Sequence, residues 1–221
     1  MITIDGPTAS GKGTLAKRLA KRYRAKYLDT GSIYRALTWY TMHLGKNPTN
    51  EADAIAAAAD MPFDFCAVGD AFAPFIDGKN VKHELHSPEV DSMVGWVAPL
   101  PGVRKALLDV QKEFVQKWRP EFGVILDGRD TGARIAPDAD VKFFMQGDPM
   151  VRAHRRAQEY IARGIPTDVY EVLAKLKERD ANDAENIIGC AEAVVLDATS
   201  LNPDQVEEKA MRTITQRLGI V

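Results

Sequence analysis

The first fourteen residues constrain this chain more than any other stretch, because a strand runs into a glycine-bracketed loop and the loop into a helix with no spacer. Met1-Ile2-Thr3-Ile4-Asp5 is short, alternating and β-branched. Gly6-Pro7-Thr8-Ala9-Ser10-Gly11-Lys12-Gly13-Thr14 follows at once, and residues 15–24 repeat apolar positions at helical spacing. Gly6 and Gly11 let the backbone wrap closely, so that its N–H groups turn inward on an anion. The helix that starts near Gly11 adds the positive end of its dipole. Lys12 supplies a mobile point charge for outer phosphates, and Thr14 a hydroxyl for a magnesium ion. The strict phosphate-loop pattern places Ser or Thr directly after the lysine. Here Gly13 stands there and Thr14 comes one residue later.

The remainder of the chain reads as β-then-α units. Strands are expected at 26–29, 123–127, 141–145 and 193–197, and helices at 31–44, 51–60, 88–97, 103–118, 149–163, 168–180 and 203–218. Strands that are apolar throughout and alternate with helices imply a parallel sheet covered on both faces, with its ligand at the carboxyl ends of the strands. Residues 63–99 break that rhythm. Phe72, Phe75 and Ile76, then Asp77-Gly78, then Lys79-Asn80-Val81 read as a hairpin about a D-G turn, and Ser87-Pro88 as a capped helix start. The segment is therefore expected to be an insert on the main sheet.

Composition excludes several classes. The 221 residues are 45% hydrophobic and 27% charged, as in ordinary globular chains. No apolar run is long enough to span a bilayer, and no basic stretch followed by an apolar one suggests a leader. Twenty-nine basic residues against 31 acidic ones give a net charge of −2, which argues against a nucleic-acid coat. Cys66 and Cys190 form no disulfide framework and suit a reducing cytoplasm. His43, His83, His86 and His154 have no metal-ligand spacing, and Trp39, Trp96 and Trp118 are expected to be core or half-buried anchors.

Three more segments carry candidate chemistry. In Asp29-Thr30-Gly31-Ser32-Ile33-Tyr34-Arg35 a strand end meets a helix start. Thr30 and Ser32 can cap that helix, while Tyr34 and Arg35 can reach a second phosphate. Asp127-Gly128-Arg129-Asp130-Thr131-Gly132 closes a buried-type strand, and is either a surface turn with a local ion pair or a ligand loop. Arg152, Arg155 and Arg156 share one helical face, with Arg163 a few turns on. They are either solvated and paired to Asp148 and Glu159, or an arginine lid over a transferring phosphoryl group. Arg179 and Asp183 stand i, i+4 and can form a plain salt bridge.

Together ITIDGPTASGKGT, YLDTGSIYRAL, GVRKALLDVQ, LDGRDTG, APDADVKFF, RAHRRAQE, LKERD and VVLDATS, in order from residue 2 to 200, resemble the bacterial cytidylate kinases among the nucleoside monophosphate kinases. The resemblance implies an α/β fold. Its parts are a three-layer P-loop core with a parallel sheet at 1–62 and 100–221, a monophosphate-binding insert at 63–99, and a short arginine-bearing lid near 152–168. It implies transfer from ATP, with Mg²⁺, to CMP or dCMP. Gly6 to Thr14 would hold the ATP phosphates, with Thr14 at the metal. Thr30, Tyr34, Arg35, Arg104, Arg129, Asp130, Arg179 and Asp183 would bind the acceptor, and Lys12, Arg129, Arg152 and Arg156 would act in catalysis. It further implies small-molecule substrates alone, with no nucleic acid or membrane partner, and a cytoplasmic monomer. A kinase for UMP or another small acceptor, and a nucleotide-binding switch, are the alternatives. The family usually has Ser where Gly95 stands, and Arg where Asn186 and His86 stand. These departures are expected to bear on acceptor selectivity.

Overall fold

Ile2, Thr3, Ile4 and Asp5 are all buried, as a strand covered on both faces requires. In the computed structural model they form β1 (Ile2–Asp5), followed by α1 (Lys12–Tyr23), β2 (Lys26–Asp29), α2 (Thr30–His43), α3 (Glu51–Asp60), β3 (Phe63–Val68), β4 (Ala71–Ile76), β5 (Lys79–Asn80), α4 (Pro88–Val97) and α5 (Pro101–Phe122). β6 (Val124–Gly128), β7 (Val141–Gln146), α6 (Pro149–Ala162), α7 (Val169–Asp183), β8 (Val194–Asp197) and α8 (Pro203–Leu218) complete the chain. The structure describes residues 1–219 apart from 69–70, 186 and 188–189. Asn186 and the side chain of Cys66 lie outside the described residues. The described chain divides into two compact units, Met1–Tyr23 with Ile125–Val221, and Arg24–Val124.

The first unit is built on parallel strands. β1 lies between β6 and β7, with Ile4 opposite Asp127 on one side and Phe143 on the other, and β8 pairs with β7 through Phe143 and Val194. Parallel neighbours need long crossovers, and helices supply them here. α1 packs on α8, and α6 packs on α7 around Ala153, Ala157, Val172 and Leu176. The arrangement is the expected α/β core.

The second unit holds an antiparallel sheet of order β3-β4-β5. Its D-G turn is as expected: Asp77 at φ 50° and Gly78 at φ 70° both take the left-handed conformation that a two-residue hairpin turn needs. Ala36, Ile76, Val81 and Leu85 form a buried cluster flanked by Trp39, Tyr40, Met61 and Phe63. The segment 63–99 lies wholly inside this unit, together with α2, α3 and α5.

Some expectations are corrected. α5 runs to Phe122, past Pro120, because a proline in the last turn removes a single hydrogen bond; the helix ends at Gly123, φ 69°. α7 extends beyond 180 to Asp183. Trp96 is 55% exposed rather than anchored, since the buried face of α4 is Val90, Val94 and Val97. Trp39 and Trp118 are half-buried as expected; Trp39 stacks on His43 at 5.0 Å, and Lys26 Nζ lies 4.8 Å from the Trp118 ring. Among the described residues no helix is long and apolar enough to cross a membrane.

Candidate active site

The turn between β1 and α1 takes its shape from three residues with positive φ: Gly6 at 143°, Ala9 at 58° and Gly11 at 98°. At Gly6 only glycine fits, because a Cβ would stand 2.0 Å from the carbonyl oxygen of Met145 on β7. The loop thus lies directly against the sheet. Lys12 is buried and folds back over the turn, its Nζ donating to the carbonyl of Pro7 at 2.8 Å. Leu15 N–H donates to Gly11 O at 3.1 Å and so closes the first turn of the helix, the end of a helix at which an anion is favoured. Ser10 Oγ is buried with no partner among the described residues. Thr14 is exposed on the first turn of α1.

Two arginines converge on Thr8 at the tip of this loop. Arg129, just past β6, donates from Nη2 to Thr8 Oγ1 at 2.6 Å and from Nε to Asp183 Oδ2 at 2.9 Å. Arg152, buried in the first turn of α6, donates from Nη1 to the carbonyl of Thr8 at 3.0 Å, from Nε to Gly147 O at 3.0 Å, and from Nη2 to Asp180 Oδ2 at 2.6 Å. Asp183 is buried; Arg179, its expected helical partner, lies at 3.9 Å, so Arg129 is its closer one.

The other arginines of α6 face elsewhere. Arg155 donates to the carbonyls of Ala198 at 2.6 Å and Leu201 at 3.2 Å. Arg156 pairs with Glu159 at 2.9 Å and lies over the Tyr160 ring, 4.9 Å from its centroid. Asp148, read as a possible partner for these arginines, instead caps α6 by accepting from Met150 and Val151 N–H. The shared helical face therefore does not become a shared partner.

Asp130 is buried and pairs with Arg134 at 3.2 Å. Behind it lies a feature that the sequence reading missed. Thr131–Ile135 forms a wide π-type turn in which Ala136 N–H donates to Thr131 O at 2.8 Å. Asp5 anchors that turn, accepting from Thr131 N–H at 2.9 Å, Thr131 Oγ1 at 2.8 Å and Gly132 N–H at 2.9 Å. Burial pushes the Asp5 carboxyl above its ordinary range, aided by the charge of Asp130, while the donors from Gly132 and Thr131 pull it back. An acid directly before Gly6 was the available signal, but nothing local marks residue 131 as its partner.

The second unit carries Thr30, Tyr34, Arg35 and Arg104. Neither Thr30 nor Ser32 caps α2. Asp29 takes the cap position without a side-chain bond, and Ser32 Oγ donates to Asp29 O at 2.6 Å. Arg35 is buried, donating to Asp91 Oδ1 at 2.6 Å and to Leu85 O at 3.0 Å. Arg104 donates to Ala98 O at 3.2 Å, its guanidinium 5.7 Å from the Tyr34 ring centroid. Gly95 has open space where a side chain would stand.

Among the described residues no cluster of three or more His, Cys, Asp or Glu could hold a metal. The exposed Thr14 hydroxyl is an oxygen donor of the kind that suits a magnesium ion arriving with phosphates.

A parallel sheet whose first strand feeds a glycine-bracketed loop, closed over by its own lysine, defines a P-loop nucleotide-binding fold. A family model described as cytidylate kinase matches residues 2–216. The cytidylate kinase of Citrobacter koseri is 36% identical over 224 residues, covering 100% of this chain and 97% of that one. The cytidylate kinase of Bordetella pertussis is 37% identical over 217 residues, covering 96% and 93%. The crystal structure of an uncharacterized protein from Eubacterium ventriosum aligns over 98% of each chain with a TM-score of 0.54 and 14% identity, a likeness of fold. The chain belongs to the cytidylate kinase family and is a phosphotransferase.

Proposed function

We propose that this protein transfers the γ-phosphoryl group of ATP to CMP or dCMP, giving ADP and CDP or dCDP. The observation that best supports the donor half is the convergence of Lys12, Arg129 and Arg152 on one phosphate loop. Phosphoryl transfer needs in-line placement and charge neutralisation more than covalent chemistry. Gly6 to Thr14 hold the donor phosphates, and Lys12 with Arg129, Arg152 and, once it leaves Glu159, Arg156 neutralises the oxygens of the moving group. The lid near 152–168 supplies the last two. Thr14 would hold the Mg²⁺ that accompanies ATP, and the ion would add positive charge against the phosphate oxygens. The acceptor attacks through an already anionic phosphate oxygen, so no histidine or other strong base is called for.

On the acceptor side we assign Thr30, Tyr34, Arg35, Arg104, Arg129, Asp130, Arg179 and Asp183, with 63–99 as the monophosphate-binding insert. Asp130 accepts from the exocyclic amino group of cytosine. Uracil presents an acceptor at that place, a mismatch that costs about 1–3 kcal/mol, roughly ten- to a hundredfold. The compartment is the cytoplasm and the working unit a single chain, with no nucleic-acid or membrane partner.

The test is ADP release with ATP and a panel of CMP, dCMP, UMP and non-nucleotide acceptors. Cytosine acceptors should lead by at least about tenfold in kcat/KM. Equal values for CMP and UMP would remove Asp130 as the reader of the base. ATP binding without any acceptor-dependent turnover would point to a switch.

A further inference from the structure

Ala9 sits in the left-handed region, φ 58°, where a Cβ is penalised and glycine is not. Its surroundings show what the methyl does. Ala9 packs against the apolar cluster of Ala153, Ala157, Val172 and Leu176, which is the seam between α6 and α7. The residue before it, Thr8, takes the Arg152 guanidinium on its carbonyl. Arg152 is in turn held by Asp180 of α7 at 2.6 Å. The tip of the phosphate loop is thus seated on the α6–α7 pair by an apolar contact at Ala9 and a polar one at Thr8, two residues in succession.

We propose that Asp180 and Ala9 are positioning residues of the donor-phosphate site. Asp180 orients Arg152 onto the Thr8 carbonyl, the Ala9 methyl locks the next residue into the α6–α7 seam, and together they set the shape in which the loop meets ATP. The inference rests on the reading of residues 6–14 as the ATP-phosphate site. Three of the five guanidinium N–H groups of Arg152 are committed to Gly147, Thr8 and Asp180. Asp180 therefore fixes the plane of the fork, and with it the direction of the other two donors. A carboxylate near a polyanion site would by charge alone weaken ATP binding. That gives positioning and plain repulsion opposite signs in the same variant.

The experiment is calorimetric titration of wild type, Asp180→Asn and Ala9→Gly with ATP and Mg²⁺, together with KM for ATP and for CMP, and Tm. Both variants should weaken ATP binding about tenfold, an effect within the range seen for coupled neighbours, and leave the KM for CMP within about twofold. Ala9→Gly should do so with Tm unchanged or raised, since glycine relieves the strain at φ 58°. A purely structural role cannot produce weaker binding together with higher stability. ATP binding by Asp180→Asn that is unchanged or tighter, or equal losses for ATP and CMP, overturns the proposal. If Asp180→Asn does not fold, Ala9→Gly decides alone, and wild-type affinity in that variant overturns it. Failure of the wild type to bind ATP would instead sink the donor-site reading beneath it.

Discussion

The two compact units use buried arginine in contrasting ways. In the unit made of Met1–Tyr23 and Ile125–Val221, Arg129 and Arg152 reach a loop hydroxyl and a loop carbonyl while aspartates of α7 hold their other ends. In the Arg24–Val124 unit, Arg35 joins α2 to α4 through Asp91 and to the Leu85 carbonyl. The first pattern places charge where a phosphate loop needs it. The second closes a packing seam around Ala36 and Leu85. Buried arginine alone therefore does not mark a phosphate site; the partner it is turned toward does. An arginine that reaches a loop beside a helix N-terminus can act on an incoming anion even when a carboxylate holds its other end, whereas one without such a loop contact is first a structural tie.

This contrast can be broken by substitution. The largest effect belongs to Lys12→Ala, which should lower kcat/KM by about 10²-fold or more, comparable to removing one preorganised donor, with the fold intact. Turnover near wild type in the folded variant would take Lys12 out of the site. Arg35→Ala should lower stability as well as weaken acceptor binding. It leaves the Asp91 carboxylate and the Leu85 carbonyl without their donor, and we expect a loss of about 2–4 kcal/mol in denaturant unfolding, below that for a wholly buried pair because Asp91 retains some solvent. An unchanged unfolding midpoint with a raised KM for CMP would instead assign Arg35 wholly to the acceptor.

Asp5 sharpens the comparison from the first unit, since it is an acid that shapes the site without touching it. Asp5→Asn turns one acceptor oxygen into an amide facing donors, which should cost about 1–3 kcal/mol. Because burial raises the Asp5 pKa in the folded state, the folded protein keeps that proton to higher pH than the unfolded chain does. The contribution of Asp5 to stability is therefore fullest at and below its unfolded pKa, near pH 4, and is lost as pH rises through the folded value. Urea unfolding at pH 4.5 and pH 8 should show a larger deficit for the variant at the lower pH. A deficit that grows with pH contradicts the shift. The smallest effect is expected of Gly95→Ser, for which the structure offers open space. Regaining one polar contact to the base, worth about 0.5–1.5 kcal/mol, should lower the KM for CMP several-fold with kcat little changed. A KM that is unchanged or raised would mean that Gly95 does not face the base.

Much of the site was legible in residues 1–14, because a phosphate loop is a local object. Gly6 and Gly11 shape the backbone and Lys12 opens the helix, each within a few residues of what it builds. The D-G turn at Asp77-Gly78 and the Ser87 cap of α4 were legible for the same reason, each within a few residues of its partner. Less legible were the exposure of Trp96 and the π-type turn at Thr131–Ile135, whose anchor Asp5 lies 126 residues away.

What the sequence by itself determined is the order of strands and helices, the glycine-bracketed loop between β1 and α1, and the placement of arginine-rich and acid-rich segments at strand ends. Apolar periodicity and glycine chemistry act at short range, so they can be read off one chain. Only the tertiary structure decided what each charge does. Arg152, Arg155 and Arg156 are indistinguishable by helical spacing, yet one meets Thr8 across 144 residues and Asp180 across 28, another meets Ala198 across 43, and the third stays with Glu159 three residues along. Helical geometry sets the direction in which a side chain leaves the axis. Which carbonyl or carboxylate waits there depends on how distant strands and helices pack, and a long guanidinium stem can answer several of them.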